Sequence, residues 1–262
     1  MAEILLQGEN IVKKFPVKKA LITGRARSYL TAVDNVSLSL EKGEILGIVG
    51  ESGSGKSTTC DILGGLTKPT SGKVLYRGKD ISEMNKEEYL QYRRNVQFIF
   101  QDPKGSLNPN SRIGQAIAEP LITLGIEHDP SKREEKVRRM IANVGLEESV
   151  LMKYPGELSG GQCQRIVIAR ALISEPEIIV CDEAVSALDV SVQAQILNVL
   201  KDLKKTTGVS YLFISHDISV VSYMADRIIV LLDGKIIEEG ESQRVLNSPA
   251  HEYTKKLIEC SK

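Results

Sequence analysis

Residues Gly50-Glu51-Ser52-Gly53-Ser54-Gly55-Lys56-Ser57 match the pattern G-x-x-x-x-G-K-[ST] at every fixed position. Their placement constrains the fold more than the match itself, because the string falls between a strand pattern and a helix pattern. Upstream, Glu44-Ile45-Leu46-Gly47-Ile48-Val49 is a short apolar run of the kind a buried parallel strand shows. Downstream, Thr58-Thr59-Cys60-Asp61-Ile62-Leu63 carries helical spacing and stops at Gly64-Gly65. Gly50, Gly53 and Gly55 let the backbone turn and bring N–H groups onto phosphate oxygens. Glu51, Ser52, Ser54 and Thr58 belong to the same cradle. Lys56 supplies a point charge for the β- and γ-phosphates, and the Ser57 hydroxyl can ligate Mg²⁺. The helix start adds its dipole. A strand–loop–helix unit with this string is expected to bind a nucleoside triphosphate.

The 262 residues suffice for one large α/β domain with a substantial core, or for two small ones. Thirty-four basic and thirty-four acidic residues cancel, so no global field favours nucleic acid or an anionic membrane. The start, Met1 to Asn10, is acidic where a signal peptide would be basic. No apolar run approaches the ~20 residues of a membrane span. A soluble, non-exported chain is expected, with any membrane role exerted through a partner. Cys60, Cys163, Cys181 and Cys260 form no C-x-x-C pair, which argues against a zinc site or a disulfide framework. Cys60 and Cys181 lie in apolar segments and read as buried, inert thiols.

Around the loop, Ile4 to Lys14, Ala32 to Leu40 and Lys73 to Tyr76 read as strands. Lys13, Lys14, Lys18, Lys19, Arg25 and Arg27 make a basic stretch read as a solvated loop, with 17–30 as an insertion. Val96 to Phe100 is another strand, ending at Gln101-Asp102-Pro103. Residues 103–160 then change texture. Turn signals at Asn108-Pro109-Asn110 and Asp129-Pro130 separate helical stretches over Ile113 to Leu124 and Ser131 to Val144. This reads as a helical insertion into an α/β core. The parallel-sheet pattern returns with a helix over Gln162 to Ile173 and a strand over Glu177 to Cys181. A helix over Val190 to Leu203 and a strand over Ser210 to Ile214 follow. Ligands of open α/β sheets gather at the carboxyl ends of strands. The Gly50 loop, Gln101, Asp182-Glu183 and His216 all stand at such ends.

Two adjacent carboxylates facing a phosphate site make sense with a cation between. Asp182 is expected to hold Mg²⁺, and Glu183, pointing elsewhere, to deprotonate the attacking water. His216, after an apolar strand, stands where a γ-phosphate contact is needed. Leu158-Ser159-Gly160-Gly161-Gln162 places two glycines after a Ser immediately before a helix, an anion-binding helix start. With this pentapeptide the chain resembles the ATP-binding subunits of ABC transporters over nearly its whole length. The resemblance identifies Leu158 to Gln162 as the signature motif and Gln101 as the Q-loop glutamine. Asp182 and Glu183 then close the Walker B strand, Ser186-Ala187-Leu188-Asp189 is the D-loop, and His216 is the switch histidine. It implies a RecA-like P-loop core with an antiparallel β-subdomain (1–102 and 161–262) and an inserted helical subdomain (103–160).

A narrower resemblance is to the oligopeptide/dipeptide/nickel importer branch. It rests on Phe100-Gln101-Asp102-Pro103 with Ser106-Leu107-Asn108-Pro109, on Ser186 to Gln195, and on Pro249-Ala250-His251-Glu252-Tyr253-Thr254. Three departures stand out. Ala184 replaces the usual Pro, and Cys163 replaces the usual Arg after the signature. The cysteine-rich tail of many members is missing, the sequence ending eight residues past Thr254. An iron–sulfur cluster needs about four thiolates, so Mg²⁺ arriving with ATP is the one metal expected. Cys163 is expected beside the signature, near nucleotide. For the aromatic that stacks on adenine, Phe15 is preferred to Tyr29.

What the family resemblance implies is a head-to-tail sandwich of two such subunits around ATP. Lys56, Ser57, Gln101, Asp182, Glu183 and His216 come from one subunit, and Ser159, Gly160, Gly161 and Gln162 from the other. Asp189 lies at the dimer interface. ATP closes the dimer and hydrolysis releases it. The implied partners are a homologous second ATP-binding subunit, two integral membrane permease subunits and, indirectly, an extracellular solute-binding protein, at the cytoplasmic face of the membrane. The alternative is a soluble ABC ATPase acting on ribosomes or DNA. Such proteins usually carry two cassettes or a long coiled coil, and neither is found here. A module that closes on ATP without hydrolysing it fits poorly with Glu183 and His216 both present. No N-K-x-D motif points to guanine.

Overall fold

Two long strands open the chain and pair as an antiparallel ribbon, β1 (Ile4–Lys19) with β2 (Ala26–Glu41). A computed structural model describes residues 3–19, 26–186 and 188–260. β3 (Ile45–Val49) follows, then α1 (Lys56–Leu63), β4 (Ser71–Tyr76) and the short β5 (Lys79–Asp80). Next come α2 (Lys86–Asn95), β6 (Val96–Ile99), α3 (Ile113–Thr123), α4 (Pro130–Asn143), α5 (Gly160–Leu172), β7 (Ile178–Asp182) and α6 (Val190–Thr207). The chain closes with β8 (Ser210–Ser215), α7 (Ile218–Met224), β9 (Arg227–Leu232), β10 (Lys235–Glu241), α8 (Ser242–Asn247) and α9 (Glu252–Cys260). Two compact units form, Met1–Asn85 with Leu212–Lys262, and Lys86–Tyr211.

The first unit holds a four-stranded antiparallel sheet in the order β2-β1-β4-β5, and strands in the order β10-β9-β3-β8. β3 is buried along its whole length and pairs parallel with β9, Leu46 opposite Arg227 and Val49 opposite Val230. Gly47 has a packing reason. A Cβ there would run into Val221 and stand 2.9 Å from the Ala225 methyl, so its absence lets α7 close on β3. Asp226 accepts the Ile45 N–H at 2.8 Å and fixes the start of the strand that leads into the phosphate loop.

The structure corrects one expectation. The basic stretch is not a loop, because β1 continues to Lys19 and β2 begins at Ala26. Lys14 pairs with Thr31, Phe15 with Leu30 and Pro16 with Tyr29. Cross-strand apolar and aromatic pairs carry the ladder past the lysines. Pro16 is tolerated because the last β1–β4 pair is Val12 with Ser71, beyond which β1 has β2 alone as a neighbour. Residues 20–25, with Arg25 of the basic stretch, lie outside the described residues, as do the side chains of Lys18, Lys19 and Arg27.

In the second unit β6 and β7 run parallel, Val96 opposite Ile178 and Ile99 opposite Cys181. α3 and α4 match the helical stretches expected between residues 103 and 160. Asp129 caps α4 by accepting the Ser131 N–H at 2.8 Å, with Pro130 in its first turn. The core of this unit runs through α5, where Ile166, Val167, Ile168 and Ala169 are fully buried. α2 exposes all but Tyr92 and four partly covered residues, Glu88, Arg93, Arg94 and Asn95, which is why its sequence carries little periodic signal. Among the described residues no helix is long and apolar enough to cross a membrane.

Candidate functional site

The phosphate loop leaves the buried end of β3 and closes on α1. Lys56, the first residue of α1, is 5 % exposed and donates from Nζ to the Gly50 carbonyl at 2.8 Å and the Glu51 carbonyl at 2.9 Å. Three glycines permit this curl. Gly55 is left-handed at φ 99° and caps α1, and a Cβ there would run into the Ala32 carbonyl. Gly53 is left-handed too, at φ 84°. At Gly50 a Cβ would meet the Leu231 carbonyl and stand 2.6 Å from Ser54 Oγ. The loop is buttressed from outside its own segment: Gly234 N–H donates to the Ser54 carbonyl at 3.0 Å, and Asp34 N–H to the Gly234 carbonyl at 2.8 Å. Glu51 N–H donates to the Tyr253 hydroxyl of α9 at 2.8 Å. Glu51, Ser52, Gly53 and Ser57 are exposed, and Thr58 is half-buried.

His216 follows β8, which neighbours β3 in strand order, and its residue is exposed. The turn around it is pinned, since Ser215 Oγ accepts the Asp217 N–H at 3.1 Å and Asp217 accepts the Ser219 N–H at 2.8 Å. Phe15 and Tyr29 are 40 % and 62 % exposed on the ribbon. Phe15 opposes Leu30 while its neighbour Pro16 opposes Tyr29, so register places the two candidate aromatics on opposite faces. Lys13 Nζ lies 5.2 Å from the Phe15 ring centroid.

In the second unit, parallel pairing of β6 with β7 makes Gln101 and Asp182-Glu183 leave neighbouring strands at the same end. Glu183 adopts φ 47°, uncommon for a residue with a side chain. Its carbonyl accepts from Ser186 N–H at 3.1 Å and from Ser186 Oγ at 2.9 Å. Gln101 Nε2 stands 3.4 Å from the same hydroxyl. Ser159 and Gln162 form a capping box at the start of α5: Ser159 Oγ accepts the Gln162 N–H at 3.3 Å, and Gln162 Oε1 accepts the Ser159 N–H at 3.0 Å. Gly160 lies with its Cα side toward Leu188, and a Cβ on Gly161 would stand 2.6 Å from Val192 Cγ1. Arg165 ties α5 to its neighbours, donating to the Val144 carbonyl at 2.7 Å and to Gln195 at 3.3 Å. Asp189 is the N-cap residue of α6 and is exposed. Ala187 lies outside the described residues.

Cys163 departs from expectation. It is fully buried, with its thiol donating to the Pro155 carbonyl at 3.6 Å, because it falls on the apolar face of α5 with Ile166 and Val167. Burial pushes the Cys163 and Cys181 thiols up from their ordinary range. Cys60 and Cys181 are buried as expected. Among the described residues no group of three or more His, Cys, Asp or Glu could hold a metal unaided. The Ser57 hydroxyl in the first unit and the Asp182 carboxylate in the second are each hard oxygen donors.

This fold, with its loop and signature helix, is that of an ABC ATPase cassette, and comparison with known proteins agrees. The model of the ABC transporter family matches residues 33–186. The chain belongs to the ABC transporter family, as one of its ATP-hydrolysing subunits. It is 49 % identical over 229 residues to the oligopeptide transport ATP-binding protein OppF of Salmonella typhimurium, covering 87 % of this chain and 69 % of that protein. It is 45 % identical over 257 residues to the oligopeptide transport ATP-binding protein AppF of Bacillus subtilis, covering 98 % and 78 %. For the dipeptide transport ATP-binding protein DppF of Escherichia coli the identity is 42 % over 257 residues, covering 98 % and 76 %. Among solved structures, the dimeric post-hydrolysis state of the ATP-binding cassette MJ0796 bound to ADP and Pi superposes with a TM-score of 0.79. It is 32 % identical and covers 91 % of this chain and 99 % of that one.

Proposed function

We propose that this chain is the ATP-hydrolysing subunit of a membrane importer for peptides. The carrying observation is that relatives named for oligopeptide and dipeptide transport match nearly its whole length at 42–49 % identity. Those names favour peptides over nickel chelates and weigh against a ribosome- or DNA-directed ATPase. The chain works at the cytoplasmic face of the membrane, beside two permease subunits and a homologous second ATPase subunit. Specificity for the solute lies with the permeases and an extracellular binding protein.

Residue roles follow from chemistry. Lys56, already held within the loop by two carbonyls, turns its charge to the β- and γ-phosphates as the loop N–H groups take the phosphate oxygens. Ser57, Asp182 and Gln101 would hold Mg²⁺, which when bound neutralises phosphate charge. Glu183 takes the proton of the attacking water, and His216 contacts the γ-phosphate. Phe15 stacks on adenine. Ser159 to Gln162 serve the nucleotide of the opposing subunit, their helix N-terminus facing its γ-phosphate, with Asp189 at the interface. Closure therefore requires ATP and two subunits.

The test is ATP hydrolysis by the complex of this chain, its second ATPase subunit and the permeases in lipid vesicles. Peptide-loaded binding protein should stimulate hydrolysis several-fold, and nickel chelates should not. Stimulation by nickel alone would overturn the peptide assignment. Full transport with this chain as the sole ATPase would overturn the pairing with a second subunit.

A further inference from the structure

The phosphate-loop pattern does not account for one contact the loop makes. The peptide joining Gly50 to Glu51 is held at both ends: its carbonyl accepts Lys56 Nζ at 2.8 Å, and its N–H donates to the Tyr253 hydroxyl at 2.8 Å. The Glu51 carbonyl, one peptide further, takes the second Lys56 bond at 2.9 Å. Rotation of the Gly50–Glu51 peptide would carry the carbonyl away from the ammonium, and Gly50 has no side chain to resist that rotation. Tyr253 supplies the restraint from 202 positions away in sequence.

The delivery of that hydroxyl is itself built. Glu238 on β10 is a buried carboxylate that accepts the Ala250 N–H at 2.8 Å and the His251 N–H at 3.1 Å, fixing the approach to α9. His251 Nδ1 accepts the Tyr253 N–H at 3.1 Å, and the His251 carbonyl accepts the Lys255 N–H at 3.2 Å. Thr254 is fully buried and seats the helix. Burial pushes the Tyr253 phenol up from its ordinary value, so it stays neutral.

We infer that Tyr253 is a positioning residue for the phosphate loop: its hydroxyl fixes the Gly50–Glu51 peptide and thereby the place of the Lys56 ammonium. The inference rests on the ATPase reading, in which Lys56 meets the nucleotide phosphates. A restraint on the phosphate loop acts on binding in ground and transition states alike, and so on KM rather than kcat.

The experiment compares the full chain with Tyr253→Phe, which keeps the ring and removes only the hydroxyl, and with Tyr253→Leu. ATP and ADP affinity are measured by competition with a fluorescent nucleotide, alongside KM, kcat and the unfolding temperature without nucleotide. Tyr253→Phe should weaken both nucleotides about three- to tenfold, the scale of one neutral hydrogen bond. KM should rise by the same factor with kcat unchanged, and the nucleotide-free unfolding temperature should fall by no more than about 2–4 °C, the scale of one hydrogen bond. Tyr253→Leu should lose at least as much affinity. Wild-type affinity in Tyr253→Phe would overturn the inference, as would a fall in kcat at unchanged KM or a collapse of nucleotide-free stability well beyond the scale of one hydrogen bond. A wild-type chain that binds no ATP would overturn the ATPase reading, and this inference with it.

Discussion

Ser186 closes the turn that carries Glu183, donating to the Glu183 carbonyl both from its N–H at 3.1 Å and from its hydroxyl at 2.9 Å. Glu183 sits at φ 47°, a left-handed conformation that disfavours side chains by about 1–3 kcal/mol and persists only where surrounding bonds hold it. The same hydroxyl stands 3.4 Å from Gln101 Nε2, so one residue touches both the candidate base and Gln101. Ser186→Ala keeps the backbone bond and removes the other two contacts. Turnover should fall about two- to tenfold at unchanged KM for ATP, the range set by one neutral hydrogen bond. Steady-state ATPase kinetics check this, and an unaltered kcat would show that the hydroxyl does not hold the turn.

Gly161 on α5 faces Val192 on α6. A Cβ there would lie 2.6 Å from Val192 Cγ1, and Val192 is β-branched on a helix, so its side chain has little freedom to move aside. Alanine would gain up to about 1 kcal/mol in helix propensity, but overpacking costs about 1–3 kcal/mol. Gly161→Ala should therefore destabilise the protein in urea unfolding. Adding Val192→Ala should restore much of that loss.

Glu238 ties stability to pH. Burial pushes its carboxyl up, but the Ala250 and His251 N–H groups and Arg244 outweigh that and hold it below the ordinary carboxylate range. A depressed folded-state value means a stabilisation present above the unfolded value of about 4.3 and lost as pH falls through the folded value. Thermal unfolding of the wild type should exceed that of Glu238→Gln at neutral pH. The gap should narrow only below about pH 4. A constant gap from pH 7 to pH 3 would show that ionisation is not its source.

Much of this was readable in the residues. The loop, strand β3 and helix α1 follow from one string because glycine geometry, apolar burial and helical spacing agree there. α3 and α4 were legible from the turn signals that bound them. The ribbon was not, since lysines and Pro16 read as loop until Phe15–Leu30 and Pro16–Tyr29 pairing is seen. The β9–β10 hairpin, whose Gly234 braces the phosphate loop, acts only through a contact about 180 residues distant, which no local pattern carries. Nothing in Asp182-Glu183-Ala184 announces a left-handed backbone, because Glu183 is neither Gly nor Asn. Tyr253 was visible as part of a motif, but its hydrogen bond to Glu51 is a tertiary fact. Cys163 shows the same limit: adjacency to the signature in sequence placed it near nucleotide, whereas helical periodicity turns it into the core.

Glu183 is proposed to drive the ATP hydrolysis that powers peptide uptake. The direct test is Glu183→Gln in the reconstituted transporter, with ATP binding, hydrolysis and uptake of a labelled peptide measured on the same vesicles. Glutamine keeps the shape and removes the proton acceptor. ATP binding should persist while hydrolysis at this chain's site falls by about 10²–10⁴, and peptide uptake should fall with it. Hydrolysis and uptake near wild-type rates in the variant would contradict the claim.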